Sequence, residues 1–214
     1  MLYEYPFNES IRTMLRLEHL FDRLGQLLPR DAPIDHHYAL ATIFEIMDVA
    51  SRADLKSDLL KDLERQKSAL AGYRGNPSVS DRALDEVVAR IDHAFNQLNE
   101  LPGKAGHALT ANEWLMSIRS RIGIPGGTCE FDLPAYYAWQ QFDPGRRRAD
   151  LLQWIATLTP LAEALRLRID ESLGLVPEIS GHRLMVSVRL MHQEADGRLR
   201  PSSADASFEL TLCA

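Results

Sequence analysis

Near residue 165 the spacing of apolar residues changes, and that change limits what the chain can fold into. Before it, apolar residues recur every three or four positions, most regularly at Leu84, Val87, Val88, Ile91, Phe95, Leu98 and Leu101. A repeat of 3.6 residues sets such positions on one side of an α-helix. After it, LRLRID alternates Leu165, Leu167 and Ile169 with Arg166, Arg168 and Asp170. RLMVSVRLM alternates Leu184, Val186, Val188 and Leu190 with Met185, Ser187 and Arg189, and SFELTL alternates Phe208, Leu210 and Leu212. A period of two sends successive side chains to opposite faces of a strand. The expected fold class is therefore α+β: an N-terminal and central helical domain of about six to seven helices, with a smaller antiparallel β-sheet domain formed mainly by the C-terminal strands. Residues 1–120 form the expected helical domain, with LYEYP available as an edge strand. Residues 121–214 hold a glycine corner, helices over 134–164 and the β domain.

Helix ends can be read from local chemistry. Asn8 with Glu9 opens a helix over 8–30, and further helices begin near Asp35 and Asp54. YRGNP breaks the third, and Ser78 with Asp81 makes a capping-box pattern for the fourth. Thr110 with Glu113 opens the next, and Asp143 followed by Pro144 gives an N-cap and first-turn pair before a helix that Pro160 kinks or restarts. One junction breaks the pattern. The helix through LAEA (161–164) meets the strand pattern LRLRI with no Gly, Pro or Asn between, whereas connections usually take several residues. This predicts a missing loop and a chain break within 161–168.

Composition narrows the function. The chain has 214 residues and a formal charge of −6, so broad attraction to nucleic acid or to an anionic bilayer is not expected, although a local basic patch remains possible. The beginning, MLYEYPFNES, lacks the basic and apolar regions of an export signal, which leads to an expectation of a cytoplasmic protein with no membrane span. Cys129 and Cys213, the two cysteines, fit no metal-ligand spacing.

IPGGTC (124–129) has two glycines but no lysine and follows a helix, so it reads as a turn rather than a phosphate cradle. A small-anion site at Gly126 and Gly127 is the alternative function, and a Cys129 nucleophile is a more distant one. His36 and His37 are adjacent, diverge on a helix and read as an exposed helix start. Arg146, Arg147 and Arg148 read as a solvated face. Arg12 and Arg16 stand one turn apart and can share a carboxylate. Arg52 and Lys56 have the same spacing, and Arg183 and Arg189 fall on one side of a strand.

Five stretches carry a resemblance: YEYPFNESIRTMLRLEHLF, LKSDLLKDLERQ, IPGGTCEFDLPAYYAW, WIATLTPLAEAL and PEISGHRLMVSVRLM. Together they resemble the ZapD family of bacterial cell division proteins, in the same order along nearly the whole chain. The resemblance implies a non-enzymatic cytoplasmic homodimer that binds the C-terminal tail of FtsZ and cross-links its filaments at the mid-cell division ring. It implies no nucleotide, metal or other cofactor. The family's contact surface is basic, and the positions that match it here are Arg16, Arg52 and Arg189, with Arg183 replacing a basic neighbour; Arg12 and Lys56 are added from spacing alone. Glu113, Tyr137 and Met185 stand where the family carries basic residues or a histidine. The family also carries a longer segment between LAEA and LRLRI.

Overall fold

The computed structural model describes residues 9–51, 55–75 and 80–169, together with the backbone of residues 185–193, 199–201 and 207–213. The chain divides into two compact units, residues 13–170 and residues 1–12 with 171–214. Eight α-helices lie among the described residues: α1 (Glu9–Leu27), α2 (Pro33–Ala50), α3 (Leu55–Ala71), α4 (Asp81–Glu100), α5 (Glu113–Ile122), α6 (Pro134–Gln140), α7 (Pro144–Ala156) and α8 (Thr159–Ile169). A 3₁₀ turn, His107–Ala111, precedes α5.

The core follows from the apolar repeat. Leu84, Val87, Ile91, Ala94 and Leu98 of α4 are buried in steps of three and four, and α3 buries Leu55, Leu59, Leu63 and Leu70. These two helices pack against each other, and α8 packs on both. Each fully buried leucine is worth roughly 1.5–3 kcal/mol, so these stripes outweigh the modest helix propensities beneath them. Among the described residues, no helix is long and apolar enough to cross a membrane.

The caps correct two boundaries. α4 starts at Asp81 under Ser80, whose hydroxyl accepts from the Ala83 amide at 3.4 Å; Ser78 lies outside the described residues. α5 starts under Asn112, whose side chain accepts from Leu115 N at 3.1 Å, while Thr110 belongs to the 3₁₀ turn and donates to the His107 carbonyl. The Asp143 cap is as read: its carboxylate accepts from Arg146 N at 3.0 Å, with Pro144 opening α7.

The α+β class is corrected. Regular structure between residues 9 and 169 is entirely helical, with no strand and no sheet among the described residues there. The expected strand LRLRI is the last part of α8; α7 packs on α2, and α8 packs on α3 and α4. The reason is an ambiguity of period. Leu158, Leu161 and Leu165 are spaced three and four apart, and all three are buried, as are Ala164 and Leu167. A helix buried on more than one side absorbs the alternation that mimics a strand. Because α8 runs unbroken through 161–168, no connection is needed there and the expected chain break is absent.

In the other unit the backbone pairs β1 (Met185–Gln193) with β2 (Leu199–Pro201) and β3 (Ser207–Cys213), all antiparallel, in the order β2-β1-β3. The expected N-terminal edge strand lies outside the described residues.

Candidate functional site

Ile11, Met14, Leu17, Leu20 and Leu24 are buried and fix how α1 is rotated. The opposite side of the helix then carries Arg12, Arg16, His19 and Arg23 at steps of four, three and four. Arg12 Nε sits 3.6 Å from Glu9 Oε2, an exposed pair of small energetic value. Arg23 Nε donates to Thr42 Oγ1 at 3.0 Å, and its guanidinium pairs with Glu45 at 2.6 Å, so it braces α1 against α2. Arg16 and His19 are exposed and form no hydrogen bond or ion pair among the described residues. An open guanidinium is suited to bidentate capture of a carboxylate. Sequence reasoning reached Arg12 and Arg16 but missed His19 and Arg23, which the same spacing, extended two turns, marks out.

The remaining candidates divide. Lys56 Nζ donates to the carbonyls of Asn99 at 3.0 Å and Leu101 at 2.7 Å, closing the C-terminal end of α4, where a cation complements the helix dipole. Arg52 and Arg183 lie outside the described residues. Arg189 lies on β1, in register with Glu209 on β3. Of the positions expected from the resemblance to differ from the family, Glu113 is exposed in the first turn of α5, and Tyr137 is exposed on α6.

At the glycine corner, Gly126 adopts φ +71°, and a Cβ on Gly127 would lie 2.7 Å from the Arg121 carbonyl oxygen. The amides of Ile124, Gly127 and Cys129 are spent on the carbonyls of Arg121, Ile124 and Gly126, so they form turns and do not converge on an anion. Cys129 Sγ donates to Asp132 Oδ2 at 3.5 Å, and that carboxylate also pairs with Arg121 at 3.1 Å. No histidine among the described residues hydrogen-bonds to this thiol. Also among them, no group of three or more His, Cys, Asp or Glu is placed to hold a metal.

Two readings of charged residues are overturned. His36 is fully buried rather than exposed, and the half-buried His37 meets the Tyr136 hydroxyl through Nδ1 at 2.7 Å. Burial lowers the proton affinity of both imidazoles and raises that of the Tyr136 phenolate well above its ordinary value. The arginine run is not a solvated face either. Arg146 lies over the Phe142 ring at 3.7 Å. Arg147 is buried, and Arg148 donates to the carbonyls of Leu28 and Pro29 and to the Asp31 carboxylate. Arg147 and Arg148 thus bind the connection between α1 and α2, which holds the end of α1 in place.

With one open arginine on α1 and no assembled catalytic group among the described residues, the relatives of the chain become decisive. A family model described as ZapD, cell division protein, matches residues 15–167. The cell division protein ZapD of Ralstonia pickettii is 47% identical over 249 residues, covering 100% of this chain and 99% of that protein. Its counterpart from Cupriavidus pinatubonensis is 46% identical with the same coverage. The chain belongs to the ZapD family of cell division proteins. The family match falls on the helical body, so Arg16, Arg52 and Lys56 lie inside it, while Arg12, Arg183 and Arg189 lie outside. The alignment with the Ralstonia protein is longer than the 214 residues of this chain, so that relative carries internal residues that this chain lacks.

Proposed function

We propose that this protein is a non-enzymatic division factor that binds the acidic C-terminal tail of FtsZ and, as a homodimer, cross-links FtsZ filaments at the mid-cell ring in the cytoplasm. Membership of the ZapD family supports the cell division role, and the observation that carries the binding reading is Arg16. It lies exposed on α1 with no partner among the described residues, on a face that also carries Arg12, His19 and Arg23. Arg52, Arg183 and Arg189 are further proposed contacts for the tail, with Arg12 and Lys56 as weaker contributors. Two tails held by one dimer make the second contact intramolecular, so modest single-site affinity becomes an avid cross-link. The alternative, a small-anion regulator at Gly126 and Gly127, loses support because the amides of Ile124, Gly127 and Cys129 are already hydrogen-bonded within the corner.

Arg16→Glu tests the binding surface. Its side chain is exposed, so folding is expected to be unchanged within about 0.5 kcal/mol. Affinity for a peptide carrying the FtsZ tail is expected to fall about tenfold, and wild-type affinity is expected to weaken as salt rises through the physiological range. Fluorescence anisotropy with a labelled tail peptide measures both. An unaltered affinity would remove Arg16 from the site.

A further inference from the structure

Arg147 is a buried cation whose hydrogen-bond acceptors are all neutral. At 3% exposure, its Nε donates to His36 Nδ1 at 3.0 Å, Nη1 to the carbonyls of Gln140 and Phe142 at 2.6 and 2.7 Å, and Nη2 to the Asp31 carbonyl at 2.5 Å. The nearby carboxylates are engaged elsewhere: Asp31 with Arg148 at 2.7 Å and Asp35 with Arg30 at 3.3 Å. His36, with 0% exposure, can accept at Nδ1 only as the neutral tautomer protonated at Nε2. A proton on Nδ1 would set one N–H against another and place two cations in the same buried site, which is costly without a counter-charge.

We propose that the His36–Arg147 contact is an acid-released latch, in which protonation of His36 ejects the guanidinium and frees the connection between α1 and α2 from α7. The groups around His36 define the balance. From α7, Arg147 and Arg148 oppose a positive imidazole; from the connection, the carbonyls of Arg30 and Leu28 favour it to a smaller extent. On its own helix stand Asp35, already paired, and His37, which faces Tyr136 of α6. Burial is the largest influence, the Arg147 charge the next, and together they hold the proton affinity of His36 below its ordinary value.

The direction of the pH effect follows. The unfolded chain binds a proton at His36 near pH 6.5, whereas the folded protein does so only at lower pH. Stability is therefore fully present above about pH 6.5 and declines below it, by up to about tenfold in the unfolding constant per pH unit.

His36→Asn keeps a neutral acceptor near the Nδ1 position and cannot titrate. Urea unfolding of the full chain at pH 7.5 and 5.5 compares it with wild type. On going to pH 5.5, the wild-type unfolding constant is expected to rise more than that of the variant, by at most about tenfold; equal responses would overturn the latch. Should the variant fail to fold, histidine NMR of the wild type decides. His36 is expected to titrate below the ordinary histidine range, and amide exchange across residues 28–32 to accelerate once it does. Titration near 6.5 with unchanged exchange would overturn the proposal.

Discussion

Replacing Arg147 by methionine is expected to cost about 3–5 kcal/mol of folding stability. Methionine fills part of the volume but donates no hydrogen bond, so the carbonyls of Asp31, Gln140 and Phe142 and the His36 ring lose their donor together. A buried acceptor left unsatisfied costs about 1–3 kcal/mol, and partial entry of water keeps the total below the simple sum. In a body of this size the thermal midpoint is expected to fall by about 10 °C, which differential scanning calorimetry measures. Arg146→Ala supplies the contrast. It removes only an exposed stacking contact with Phe142, worth about 0.5–1 kcal/mol. Equal losses in the two variants would mean that the buried guanidinium does not clasp the connection.

Trp139→Ala is expected to have a similar effect, about 3–5 kcal/mol, for a different reason. Trp139 is buried at the meeting point of α5, α6 and α7, with the Trp114, Tyr136 and Trp154 rings at 5.8, 5.8 and 6.1 Å. Its indole N–H donates to Asp150 at 2.9 Å. Truncation opens a cavity among rings too rigid to collapse into it and leaves that carboxylate without its donor. Chemical denaturation measures the loss, and the near-UV circular dichroism of the remaining aromatic rings should weaken. A loss below about 1 kcal/mol would show that the site repacks and that the aromatic cluster is not a fixed joint.

The helices were legible in the sequence where two independent signals coincided. The Asp143–Pro144 pair marked the start of α7 because side-chain capping and a fixed φ both act within four residues. The rotation of α1 was readable because its apolar positions are too regular to fit another face, and the exposure of Arg16 was readable for the same reason. α8 was misread because LRLRI is only five residues long, and over that length alternate leucines suit a strand and a buried helix equally well. What separates the two is the burial of Leu161 and Leu165 in α8, which packs on α3 and α4 and so depends on partners elsewhere in the chain. The roles of His36 and Arg147 were invisible for a related reason. They lie 111 residues apart, and three successive arginines look the same whether they face solvent or a distant carbonyl. The sequence signal for Lys56 was spacing alone, and that spacing concealed a bond to the end of α4, whereas Arg52, Arg183 and Arg189 rested on both spacing and the family resemblance.

Low-speed sedimentation of FtsZ filaments tests the proposed cross-linking most directly, with full-length FtsZ and a tail-deleted form compared in the presence and absence of this protein. The expected result is a large increase in pelleted full-length filaments, lost when the tail is removed and reduced by Arg16→Glu. Pelleting that does not increase, or that increases equally without the tail, would contradict it.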